Sequence, residues 1–133
     1  MQRRKFIILS TVAGAATVFA EIQCNSRPSK IYSVLEKPEI LSQICDEKTI
    51  REIGLAYRLQ KPKEQTRDEL ADLLLTDYSG RSLPSSPDEQ LVRTTISKKV
   101  DLDFEKSNTV VAGGWILAVT EARQCALFAI QHQ

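Results

Sequence analysis

Four signals for the start of a helix stand between residues 38 and 89, with Pro62, Gly80 and Pro84 breaking the chain between them. Such punctuation leaves room only for short helices, so apolar residues must be buried by packing several helices together. Ile31, Tyr32, Val34 and Leu35 form a short apolar cluster before Lys37-Pro38, and Pro38 suits the first turn of a new helix, where its missing N–H costs nothing. Ile40, Leu41 and Ile44 then share one face. Asp46 offers a carboxylate to the free N–H groups of the next helix. Thr66-Arg67-Asp68-Glu69 is a capping box. Ser86-Pro87-Asp88-Glu89 combines a capping serine, a proline at the first helical position and an acid three residues after the cap.

The segments behind these signals carry helical spacing. Ile50, Ile53 and Tyr57 recur at i, i+3 and i+7. Gly54 beside them costs about 1 kcal/mol of helix propensity against alanine, which a close helix–helix crossing would explain. Leu70, Leu73 and Leu74 form the inner face of the following helix. Val92, Ile96, Val100 and Phe104 recur every four residues, which predicts a helix of about 17 residues. Val100, Leu102 and Phe104 also alternate, and a strand over 98–104 is the competing expectation. Val110-Val111 and Trp115-Ile116-Leu117 flank Gly113-Gly114 and read as a small hairpin, with Trp115 its anchor. In the last helix Ala122, Cys125, Ala126 and Ala129 make a stripe of small residues, and Glu121 lies in the first turn, where the helix dipole favours an acid. The fold class expected is mainly α: a bundle of about five helices with a short hairpin in the C-terminal half, formed by residues 31–133 as a single domain.

The first 30 residues read differently. Arg3, Arg4 and Lys5 precede fifteen uncharged residues, Phe6 to Ala20. This is the layout of a signal peptide over 1–20, with Val18 and Ala20 at the small-residue positions of a cleavage site. Cleavage is expected after Ala20, and residues 21–30 form a polar linker. The apolar stretch is shorter than the roughly 20 residues a membrane span needs, so membrane contact is expected through the signal segment only. Arg3, Arg4, Phe6 and Ile7 resemble the twin-arginine signal, although Gln2 and Ile8 depart from its pattern. An ordinary secretory signal with two arginines is the alternative. Glu21 and Gln23 argue against lipidation of Cys24, which wants small residues before the cysteine. The destination is the periplasm or cell envelope.

Composition narrows the function further. The chain has 18 basic and 17 acidic residues. Without the leader's three cations the balance is −2, which argues against a nucleic-acid partner, since phosphate binding needs a basic surface. Three cysteines and one histidine form no C-x-x-C or H-E-x-x-H spacing, so no metal, cofactor or catalytic residue is assigned. His132 reads as a frayed helix end. Cys45 and Cys125 fall on apolar faces, either as buried thiols or, in an oxidising compartment, as a disulfide. Asp101, Asp103 and Glu105 read as a solvated charged face. The densest polar constellation is Trp115, Glu121 and Arg123, a candidate corner for a partner or ligand because tryptophan and arginine often dominate interfaces.

The leader, taken with Asp103-Phe104, Gly114-Trp115, Leu117, Thr120-Glu121-Ala122-Arg123 and Cys125, resembles small exported bacterial proteins that carry no assigned activity. The Arg51–Arg58 segment around Gly54 and Tyr57 belongs to the same pattern. The resemblance implies export and a helical domain, and brings no catalytic residues. A looser similarity, in layout only, is to the small subunits of membrane-associated flavin-dependent sugar dehydrogenases. These are short, helical, led by a twin-arginine signal, and carry a large catalytic subunit out. That likeness implies an exported, non-catalytic accessory or binding protein with a larger redox partner. The alternative is an independent small-ligand binder or enzyme with its pocket at the 110–123 corner.

Overall fold

The computed structural model describes residues 27–133. Arg3, Arg4, Phe6, the Ala20 cleavage site and Cys24 lie outside the described residues. Six helices and one hairpin follow in chain order: α1 (Ser29–Leu35), α2 (Glu39–Ile44), α3 (Glu47–Gln60), α4 (Arg67–Leu74), α5 (Glu89–Glu105), β1 (Thr109–Ala112), β2 (Trp115–Ala118) and α6 (Val119–Gln131). The mainly helical class with a C-terminal-half hairpin is as expected.

α1 carries the apolar cluster of residues 31–35 and begins two residues earlier, inside the expected linker. It follows Pro28 and has no side-chain cap, so no start signal marks it. Burial of Ile31, Tyr32, Val34 and Leu35 holds it in place. In α2 the expected apolar face is not a core face: Leu41 is buried, but Ile40 and Ile44 are 62 % and 64 % exposed. Six residues give little more than one and a half turns, and one residue is enough to seat so short a helix.

The caps of α3 and α4 form as read. Thr49 N donates to Asp46 Oδ1 at 2.9 Å. Glu69 N donates to Thr66 Oγ1 at 3.1 Å and Thr66 N to Glu69 Oε1 at 3.0 Å, completing the box. The start of α5 is displaced: Leu91 N donates to Asp88 Oδ1 at 2.8 Å, so Asp88 and not Ser86 is the cap. A carboxylate there also meets the positive end of the helix dipole.

The segment 98–104 is helical, but its inner face departs from the four-residue series. Steps of four on a helix of 3.6 residues per turn advance about 40° each. The series therefore rotates off the core, from buried Val92 and Ile96 to Phe104, which is 50 % exposed. The inner face continues through Lys99 and Asp103 instead.

The hairpin pairs Ala112 with Trp115 around Gly113 and Gly114, whose φ angles are +59° and +86°. Two successive positive φ values form the tight turn that matches the twist of paired strands, and glycine adopts them without strain. Ala112, Leu117 and Ala118 seat the hairpin, and Trp115 is only half-buried against the core.

The final helix α6 is buried nearly all round, from Val119 to Ala129. Its most extensive contact is with α3. At their crossing a Cβ added to Gly54 would lie 2.1 Å from the Cys125 carbonyl oxygen. The close crossing anticipated from Gly54 is therefore a backbone-to-backbone contact. Cys125 is buried, Cys45 is half-buried, and both are free thiols. His132 is not frayed: its Nε2 lies 2.8 Å from Glu36 Oε1, its ring stacks on Phe128, and its carbonyl accepts from Arg51 Nε at 3.0 Å. Among the described residues no helix is long and apolar enough to cross a membrane.

Gly54→Ala is expected to destabilise the protein by about 3 kcal/mol or more, because neither backbone can retreat without opening the core. Urea denaturation measures it. A midpoint at or above the wild-type value would show that the crossing tolerates a methyl group.

Candidate functional site

Glu121 and Arg123 are two residues apart on α6 and so point roughly 200° apart around its axis. Each lines a different cleft. Trp115 lines neither. The three residues of the expected corner are close in the chain, but neither of these two clefts is lined by all three.

The first cleft, of about 70 Å³, lies between α1, α2, α5 and α6. Val34, Ile40, Ile96 and Val100 supply apolar walls, and Glu121 and Gln124 supply polar groups from α6. Gln124 is 2 % exposed. Its Nε2 donates to the Lys37 carbonyl at 3.4 Å. A carbonyl only accepts, so the amide nitrogen must face Lys37 and the amide oxygen must face away. That oxygen, Oε1, is buried and meets no donor among the described residues. Glu121 is also buried. Its Oε1 accepts from Ala118 N at 3.1 Å, closing the first turn of α6. Burial holds its carboxyl above the usual carboxylate range, helped by the charge of Asp103 and opposed by the Ala118 hydrogen bond.

The second cleft, of about 240 Å³, opens on the other side of α6, against α5 and the α4–α5 connection. Asp103 lies at its buried end, 2 % exposed. It was expected on a solvated face. Asp101 and Glu105 are exposed, but the rotation of α5 turns Asp103 inward. Its carboxylate accepts from Thr120 N at 2.8 Å, from Asn108 Nδ2 at 3.0 Å and from the Tyr78 hydroxyl. Lys99 Nζ donates to the carbonyls of Leu73 at 2.6 Å and Leu74 at 3.2 Å, closing the C-terminal end of α4 where a cation suits the dipole. Burial pushes the Lys99 ammonium down to about 8, and Arg123 acts in the same direction against Asp103 and Asp77. Arg123 itself forms a two-point pair with Glu64, at 3.0 and 3.3 Å. Glu64 also accepts from the Tyr57 hydroxyl at 2.9 Å.

The two clefts differ in what remains unpaired. In the second, Asp103, Lys99 and Arg123 are all bound to groups of the chain itself. They tie α3, α4, α5 and α6 together, and a reactant would have to displace those partners first. In the first, the Gln124 amide oxygen is buried without a partner among the described residues. Sequence reasoning missed Gln124, Lys99 and Asp103. Their only signal is a polar residue at the core-facing position of an otherwise apolar helix face, and a helical wheel cannot say what meets it. Among the described residues no group of histidine, cysteine, aspartate and glutamate could hold a metal ion. Compared with protein-family models, characterised proteins and solved structures, the chain matches none.

The folded Lys99 loses its proton near pH 8 and the unfolded residue near 10.5. Between these values the unfolded residue binds more of the proton, so the contribution of Lys99 to stability rises with pH, while the raised Cys125 thiol and Tyr57 hydroxyl act the other way. Below pH 8 the ammonium is charged in both states and the whole burial cost is felt. Lys99→Met is expected to remove this contribution, so that the wild type gains stability relative to the variant as pH rises. Urea midpoints of both proteins at about pH 7 and about pH 10 measure it, and parallel pH dependences would exclude Lys99 as the source.

Proposed function

We propose that this protein is an exported, non-catalytic accessory or binding protein, and that it serves as the small subunit escorting a folded oxidoreductase through the twin-arginine pathway. The leader with Arg3, Arg4 and Phe6 supports the route, with cleavage after Ala20 and release to the periplasm or envelope. One geometric observation carries the binding role. The charged groups of the second cleft are held by the chain's own groups, whereas the first cleft is a small recess with apolar walls and Glu121 and Gln124 among its polar lining. Its volume of about 70 Å³ is well below the 300–1,000 Å³ typical of sites that enclose a whole small molecule. A recess of that size suits one projecting group of a larger partner. Exposed Ile40 and Ile44 add apolar surface on the adjoining helix.

A second reading, an independent small-ligand binder or enzyme, draws on the larger second cleft and on Lys99, whose amine loses its proton near pH 8. It requires the carbonyl partners of Lys99 to be given up.

Affinity purification from the native host, with the natural leader and with Arg3→Lys and Arg4→Lys, followed by mass spectrometry, tests the escort. The expected result is one abundant folded enzyme that co-purifies and stays in the cytoplasm when the arginines are replaced. Recovery of the protein alone outside the membrane with either leader would overturn it.

A further inference from the structure

The hairpin leaves one strand edge open at a single residue. The two residues that flank a two-residue turn form a hydrogen-bonded pair, and such pairs alternate along an antiparallel ladder. Ala112 with Trp115 and Val110 with Leu117 are therefore hydrogen-bonded pairs, and the backbone groups of Val111 and Ile116 point outward, one to each edge. Two contacts fix this phase independently. Gln60 Nε2 of α3 donates to the Val111 carbonyl at 2.6 Å from outside β1, and Val119 N donates to the Asn108 carbonyl at 3.2 Å just past the strand ends. On β2 the outward N–H of Ala118 goes to Glu121 Oε1. The N–H and C=O of Ile116 meet no partner among the described residues. The turn is also uncovered, since a Cβ added to Gly114 would meet nothing within 4 Å. On the outer face Val111 and Ile116 lie directly opposite each other, 59 % and 71 % exposed, while Ala112 and Leu117 turn to the core.

We propose that Ile116 pairs with Ile116 of a second copy of this chain, joining two hairpins edge to edge into a four-stranded antiparallel sheet. This pairing does not depend on the escort. A residue whose N–H and C=O both point outward is self-complementary. Under a two-fold axis each N–H donates to the other C=O, which makes one more hydrogen-bonded antiparallel pair. Charge favours the same occupant. Exposed strand edges are ordinarily guarded by lysine, proline or a bulge. Ser107 to Thr120 holds neither a charged residue nor a proline, so two copies meet without like-charge repulsion, and a charged partner finds no counter-charge along the strand. The pairing sets Val111, Ile116 and the same two residues of the second copy in one row on the outer face, where each isoleucine shields the other from water. β2 is four residues long and runs straight into α6. The contact is therefore far smaller than the roughly 1,200 Å² of a standard complex, and the dimer is weak, with a dissociation constant on the order of 0.1–1 mM.

Sedimentation equilibrium of the full chain up to about 1 mM, with amide NMR over the same dilution series, tests this. The expected result is a monomer–dimer equilibrium whose amide shifts centre on Ile116, with slower exchange of the Ile116 amide at high concentration. Ile116→Lys and Ile116→Glu each set like charges across the axis, and each is expected to weaken association about tenfold or more. An equal mixture of the two variants is expected to regain the dimer, because a residue that faces itself then meets its opposite charge. The Ile116 side chain is exposed, so both variants keep the fold, which the urea midpoint checks. Leu59→Lys, on the exposed side of α3, is expected to leave association unchanged. A monomer at the highest concentration, association that survives in both Ile116 variants, no recovery in their mixture, or loss in Leu59→Lys would overturn the proposal, and the dilution series needs no variant. Protection of the Ile116 amide by a co-purifying protein, while the chain alone stays monomeric, would also overturn it and would assign the edge to that protein.

Discussion

The contact between Gly54 of α3 and the Cys125 carbonyl of α6 is the constraint on which the remaining packing depends. Helices with side chains between them settle 8–10 Å apart. A glycine facing a stripe of small residues removes that spacer, and the two backbones meet directly. Ala122, Cys125, Ala126 and Ala129 are all buried as a result. With α3 against one side, α4, α5 and the hairpin pack around what remains of the α6 surface. The last helix in the chain thus becomes the centre of the fold, and Cys125 is sealed in a place where burial raises its thiol pKa.

Burying one helix on nearly all sides leaves its polar residues nowhere to meet water. The protein resolves this differently on the two sides of α6. On one side Arg123 reaches Glu64, and Thr120 N reaches Asp103. These pairs close the cluster, which also carries Lys99 onto the end of α4. Removing one member of such a cluster leaves its partner buried and uncompensated. On the other side Glu121 and Gln124 satisfy only part of their capacity. The same helix therefore supplies a structural polar network and an open recess, separated by the angle between successive residues.

That separation divides the molecule's work. The closed network holds four elements in register and leaves its cations engaged. The recess is small and apolar at its walls, with Glu121 and Gln124 supplying polar groups from α6. The exposed isoleucines of α2 lie beside it, on a helix seated by Leu41 alone.

The chain by itself determined the helical class, the caps at Asp46 and Thr66, the hairpin at Gly113-Gly114 and the close approach at Gly54. These follow from local chemistry: a carboxylate near free N–H groups, a positive φ, a missing Cβ. Only the tertiary structure decided where α1 begins, since it has no side-chain cap and is held because Ile31, Tyr32, Val34 and Leu35 find a core to enter. It also decided that Ile40 and Ile44 stay outside while Lys99 and Asp103 go in, that His132 is held by Glu36 and Phe128, and that Glu121 and Arg123 line different clefts. Their fate depends on which element arrives opposite each face, and that is set by long-range packing that residue spacing does not contain.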